Sequence, residues 1–99
     1  MEYRFIGYCN DPKENHDKVW GAVYVDEGRL ANRKVMTFWG RRGKKLQTKM
    51  TTDSWELHKL IDSKENKGYA SINENRLSEV YPEFQLDLEK TLMWSILMA

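Results

Sequence analysis

Cysteine occurs once in the 99 residues, proline twice, and acid not at all between positions 33 and 49. A lone Cys9 excludes an intrachain disulfide and suits a reducing compartment, so the expected location is cytoplasmic, inside the cell. With only His16 and His58 beside that cysteine, no metal-ligand spacing arises, and no metal or cofactor is expected. No apolar run reaches the roughly 18 to 20 residues that cross a bilayer, so no membrane association is expected. The start, "MEYRFIGY", carries an acid and lacks the long apolar stretch of a secretory signal. No pair of carboxylates, and no nucleophile with a base beside it, stands out by spacing, and the chain is not expected to be an enzyme.

What is present is the composition of one folded domain: 40% apolar and 31% charged residues, enough for a single core. The net charge of +1 conceals a strong asymmetry. Residues 1–32 carry −2, residues 33–49 carry +7 and residues 50–99 carry −4. A surface attracts through its local field, so the middle segment, and not the total, bears on the choice of partner.

The pattern predicts an α+β fold: a small antiparallel β-sheet of four to five strands packed by one central helix, plus a C-terminal helix. "YRFIGYC" (3–9) and "KVWGAVYVD" (18–26) are rich in aromatic and β-branched residues, which favour strands. Between them "NDPKENHD" has the chemistry of a loop, and "DEGRLAN" that of a second turn. Residues 33–39 alternate Val35, Thr37 and Trp39 against Lys34, Met36 and Phe38. "GRRG" supplies a tight connection to a fourth strand, where Leu46, Thr48 and Met50 alternate with Gln47, Lys49 and Thr51. At residue 53 the period changes. Asp53 and Glu56 have the spacing of a capping box, and Trp55, Leu57, Leu60 and Ile61 recur with helical spacing up to a stop at Gly68. A helix over about 54–66 is expected, then a fifth strand at "YASI" (69–72). Leu77, Val80, Tyr81, Phe84, Leu88, Leu92 and Ile96 keep helical spacing, and Pro82 suits the first turn of a helix placed over 83–98.

The stretch "WGRRGKKLQ" resembles the signature of the WGR domain, named for its Trp-Gly-Arg triplet. A second landmark of that family, a helix leading into a lysine and then Lys-Gly-Tyr, is matched by "HKLIDSKENKGY", with Lys64, Lys67, Gly68 and Tyr69. The resemblance covers residues 3–72, so the expected division is a WGR-like domain over 1–72 and a helical extension over 73–99. Arg42 stands where the family usually has an aliphatic residue, and Leu46 where it usually has glycine. The resemblance implies a compact antiparallel sheet with one helix and a nucleic-acid-associated role. In poly(ADP-ribose) polymerases, domains that look like this one help to grip a DNA break, with the signature tryptophan against the terminal nucleotide. Bacteria also carry the domain alone.

The residues support two readings of each candidate. Trp39 is either a platform for a base or an end sugar, or a core plug like Trp20 and Trp55 on the face of Val35 and Thr37. Arg41, Arg42, Lys44 and Lys45 either hold phosphates or form a solvated tip that resists edge-to-edge pairing. Arg41 has a further option in an acid inside the fold. Arg33, Lys34 and Lys49 extend the expected footprint. Lys67, Gly68 and Tyr69 read as structural, and Cys9 as a small buried group.

"TLMWSILMA" is apolar all round and must be covered. Val19, Val23 and Val25 oppose Trp20, Ala22 and Tyr24 on one strand, so both sheet faces are expected to be apolar, one taking the central helix and the other this tail. Alternatively Leu92, Met93, Trp94, Ile96 and Leu97 pair with a second copy or another protein. The expected function is a non-catalytic nucleic-acid-binding module, DNA favoured, acting on a duplex or its ends. The competing expectation is a protein-interaction or homodimerisation module.

Overall fold

Both faces of a single sheet are buried by different parts of the chain. The computed structural model describes residues 2–26, 33–41, 44–80, 90 and 93. Five strands, β1 (Tyr3–Asp11), β2 (His16–Tyr24), β3 (Lys34–Arg41), β4 (Gln47–Thr52) and β5 (Ala70–Ser71), lie in the order β4-β3-β2-β1-β5. Every neighbouring pair is antiparallel. Helix α1 (Trp55–Asn66) precedes β5, and α2 (Glu74–Val80) follows it. The α+β architecture is thus the one the pattern predicts. The first two strands are longer than expected: the loop shrinks to residues 12–15, and Asn15 turns the chain with φ 56°.

The two faces separate cleanly. One collects Phe5, Cys9, Trp20, Ala22 and Val35 under Leu57 and Ile61 of α1, with Tyr69 closing the end. The other gathers Ile6, Val19, Val23, Met36 and Phe38, with Leu46 from the β3–β4 turn and Leu77 from α2. The double-sided character of β2 is therefore real, and the segment after residue 72 supplies at least Leu77 to the second face. A shift of register at the start of β1 makes this sorting possible. Tyr3 opposes Val23 and Phe5 opposes Ala22, leaving Arg4 as the extra residue of a bulge. Tyr3 consequently meets Phe38 on the second face, edge-on at 6.2 Å, while Phe5 meets Trp20 on the first at 6.0 Å. At Gly21 the Phe38 ring lies so close that an added Cβ would stand 2.4 Å from it.

Helix α1 ends as its sequence implies. Gly68 adopts φ 102°, its N–H donates to the Glu65 carbonyl at 3.1 Å, and the Tyr69 N–H donates to the Lys64 carbonyl at 3.1 Å. That pair of bonds is a Schellman closure. The start differs from the expected capping box. Ser54 is the N-cap, without a side-chain cap bond. Asp53 is instead engaged by Arg4 Nε at 3.2 Å and by the Tyr24 hydroxyl at 2.6 Å. Two donors from the sheet outcompete the first-turn amides for this carboxylate.

Two further expectations need correction. Trp55 is 65% exposed, lying on His58 with ring centres 5.1 Å apart, so it does not plug the core. Leu60 is also largely exposed, and only Leu57 and Ile61 of α1 are buried. A short helix outside the span 83–98 follows β5: Asn73 accepts the Arg76 N–H on Oδ1 at 2.8 Å and starts α2 at Glu74. Of the helix expected over 83–98, only Lys90 and Met93 are described, both exposed; Leu92, Trp94, Ile96 and Leu97 lie outside the described residues.

Candidate nucleic-acid interface

The opposite ends of β3 divide the basic segment. Arg33 and Lys34 stand at its start, Arg41, Lys44 and Lys45 at its finish, roughly 25 Å away for eight residues of strand. At the start, Arg33 is drawn into the fold. Its side chain is only 17% exposed, reaches Glu2 at 3.0 Å and Asp26 at 3.4 Å, and lies over the Tyr24 ring at 3.9 Å. Asp26, which also accepts the Lys34 N–H, is held below the usual carboxylate range, first by that backbone bond. Arg33 is therefore tied into the fold by its two acids, at the far end of β3 from Arg41, Lys44 and Lys45. Lys34 is exposed at the same end.

At the finish, Arg41 has no acid as partner among the described residues. Its guanidinium donates to the Asn15 carbonyl and to Asn15 Oδ1, both at 2.7 Å, and so clamps the β1–β2 turn onto β3. Its charge is not cancelled, because Asn15 is neutral. The Lys44 N–H closes the next turn on the Arg41 carbonyl at 3.0 Å, which leaves the Lys44 and Lys45 side chains exposed. Leu46, buried in the second core cluster, pins that turn down. Arg42 lies outside the described residues.

Trp39 is half-buried, packed at the margin of the α1-side core. The register surrounds it with cations. Its cross-strand partners are Trp20 on β2 and Gln47 on β4. Arg41 follows two residues along the same face, opposite Lys18, and Thr37 precedes it, opposite Lys49. Diagonal neighbours in a sheet lie about 7–8 Å apart, so Lys18 and Lys49 flank the indole from either side. Helix α1 packs on β1, and on the same face Gln47 and Lys49 of β4 are exposed. Trp39 thus supports the core and keeps an accessible remainder.

Three cations in this neighbourhood lie outside the basic segment: Lys18, which no motif marks, and Lys64 and Lys67 of the family-like landmark. Lys18 and Lys64 converge on Tyr69, at 5.7 and 5.9 Å from the ring centre, and Lys64 also lies 5.6 Å from that of Trp20. Lys67, the C-cap residue of α1, is close by. Sequence alone gives the family-like Lys-Gly-Tyr a structural part. Gly68 and Tyr69 play it, but the lysines before them share an end of the sheet with Arg41 and Lys44. Only the strand register and the docking of α1 bring them there.

Among the described residues, no group of three or more His, Cys, Asp or Glu side chains could hold a metal ion, and no helix is long and apolar enough to cross a membrane. Comparison of the chain with protein-family models, with curated proteins and with solved structures found no match.

Proposed function

We propose that this chain is a non-catalytic nucleic-acid-binding module, favouring DNA, that lays a terminal or unpaired nucleotide against Trp39 and holds the adjoining phosphates with Lys44, Lys45 and Lys49. One observation carries the reading: around a half-buried indole, these lysines have no ion-pair partner among the described residues. The resemblance of "WGRRGKKLQ" and "HKLIDSKENKGY" to the WGR signature supports the same reading. An aromatic platform contributes about 1–3 kcal/mol per stacked base and is indifferent to sequence. Lysines at phosphates set position without reading bases, so the module would discriminate by end structure and not by sequence. Arg41 contributes field and holds the platform's rim in shape, while Arg33 contributes to the fold alone.

The test is a titration of a linear duplex and a closed circle at several salt concentrations. If about four phosphates are neutralised, the slope of log K on log salt is near −3.6, a drop of about a hundredfold between 50 and 200 mM salt. Trp39→Ala should weaken binding to linear DNA more than to circles. Lys44→Ala/Lys45→Ala should weaken both and flatten the slope. Absence of binding at low salt would remove the proposal, and with a concentration-dependent dimer it would turn attention to the C-terminal apolar segment.

A further inference from the structure

On the α1 side of Trp39, cations converge with no ion-pair partner among the described residues. Lys64 lies over Trp20 at 5.6 Å and near Tyr69 at 5.9 Å, and Lys18 reaches the same tyrosine at 5.7 Å. The Lys64 ammonium is held below the usual lysine range, first by burial and then by repulsion from Lys67 and Lys18. The negative end of the α1 dipole favours Lys64 and Lys67 at that position. It does not account for Lys18, which arrives from β2. On this face of β1, Asp11 stands two residues beyond Cys9, the cross-strand partner of Lys18. Its Oδ1 accepts the Lys13 N–H at 3.1 Å, and no ion pair links it to the three lysines. Asp17 stands one residue from Lys18, hence on the other face, and there accepts the Tyr8 hydroxyl at 3.2 Å.

We propose that Lys18, Lys64 and Lys67 form a second phosphate-holding station, so that a single nucleic-acid strand crosses the sheet from Lys44 and Lys45, over Trp39, to the end of α1. The inference rests on the nucleic-acid reading and adds to it a path and a substrate class. The ring of Trp20, directly opposite Trp39 and buried beneath α1, backs the platform on the side of the lysines. From β4 to β1 is three strand spacings, roughly 14 Å. A backbone held at both stations with a base on the indole between them needs about four nucleotides, the lower end of the range for single-strand grooves. An intact duplex keeps its bases stacked on one another and cannot satisfy both stations and the platform. A single strand, or the unpaired end of a duplex, can.

The experiment measures fluorescence anisotropy of labelled oligothymidylates of one to eight nucleotides, and of a blunt duplex, at several salt concentrations. It compares the wild type with Lys18→Gln/Lys64→Gln, with the exposed Lys67→Gln alone, and with Lys44→Gln/Lys45→Gln, each checked for folding by circular dichroism. Wild-type affinity should rise with length to about four nucleotides and then level off. In Lys18→Gln/Lys64→Gln the rise should stop about two nucleotides earlier, and the salt slope on single strands should be shallower by about 1.4. Lys67→Gln, which cannot disturb the core, should lower the slope by about 0.7. If these variants keep the wild-type length dependence and slope while Lys44→Gln/Lys45→Gln loses affinity, the second station is wrong and the nucleic-acid reading stands. Binding to the duplex alone, with none to single strands, would likewise remove the second station and leave that reading in place. Failure of the wild type to bind any of these ligands at low salt overturns both.

Discussion

At the end of the sheet where β1 and β3 begin, the arginines are held by acids. Arg4 meets Asp53 at 3.2 Å, and Arg33 meets Glu2 at 3.0 Å and Asp26 at 3.4 Å. At the opposite end, Lys18, Lys44, Lys45, Lys64 and Lys67 have no acid within ion-pair distance among the described residues, and Arg41 bonds only to Asn15. The first end uses its charges to fasten β1, β2, β3 and the entry to α1. The second leaves its charges displayed around Trp39, Trp20 and Tyr69. Charge content alone does not distinguish the two, since both draw on the same acid-free segment. What separates them is whether the fold supplies an anion or leaves one to be supplied.

The largest effect is expected on removing cations from each end in turn and measuring binding to DNA. Lys44→Gln/Lys45→Gln should reduce the salt slope by about 1.8, so that the loss of affinity between 50 and 200 mM salt falls from about a hundredfold to about tenfold. Arg33→Gln should leave slope and affinity unchanged, although it too removes positive charge from the same segment. A comparable loss from Arg33→Gln would mean that total charge decides, and the distinction between the ends would fail.

Next in size is a change at the first end that should act on stability alone. Asp53 receives Arg4 and the Tyr24 hydroxyl, so Asp53→Ala leaves a half-buried guanidinium and a phenol without their acceptor. Bonds to a charged group contribute about 1.5–3 kcal/mol, and the expected cost is about 2 kcal/mol. For a domain of this size that lowers Tm by about 10 °C, readable by thermal or urea unfolding. DNA affinity measured well below Tm should be unaffected.

A good part of this architecture is legible in the chain, and the parts that are not share a cause. Periodicities of 2 and 3.6 place β1 to β4 and α1, and Gly68 marks where α1 stops, because each is a local property of a few residues. The two-faced apolar character of Val19–Val25 likewise announces a sheet covered on both sides. Asp53 misleads because its capping spacing is local, whereas its actual partners, Arg4 and Tyr24, come from other strands. Trp55 misleads for the same reason: helical spacing includes it, but the angle at which α1 meets β1 leaves it outside. Of the basic residues near Trp39, Lys44, Lys45 and Lys49 are visible as a run. Lys18, Lys64 and Lys67 are not, since only the β2–β3 register and the docking of α1 make them neighbours. Arg33 looks like a member of the run until its distance from Arg41 along β3 is known.

A smaller effect should follow from loosening the second end without removing its lysines. Arg41 donates two bonds to Asn15, on the exposed rim, and Arg41→Ala should cost about 1 kcal/mol. Arg41→Lys should recover little of it, because an ammonium cannot reproduce the two-pronged geometry. Here stability and binding should fall together, unlike at the first end, since the β1–β2 turn borders the platform. Urea unfolding and the same DNA titration report on the two in parallel.

The smallest effect separates the ends by their response to alkali. The Tyr24 hydroxyl is pushed up to about 12, by burial first and then by its bond to Asp53 and the charge there. A phenol that binds its proton more tightly in the folded chain adds stability that is complete below pH 10, the ordinary tyrosine range, and disappears as pH rises through 12. Tyr24→Phe lacks that contribution at every pH. The stability difference between wild type and Tyr24→Phe should therefore hold steady up to about pH 10 and shrink from there toward pH 12. Taking the difference between the two urea-unfolding series cancels the titration of the other tyrosines and of the lysines. At the other end, Lys64 is shifted downward and loses its charge below the normal lysine range, so DNA binding should decline while the Tyr24–Asp53 bond is still intact. A binding loss that tracks unfolding, instead of preceding it, would show that the two ends are not independent.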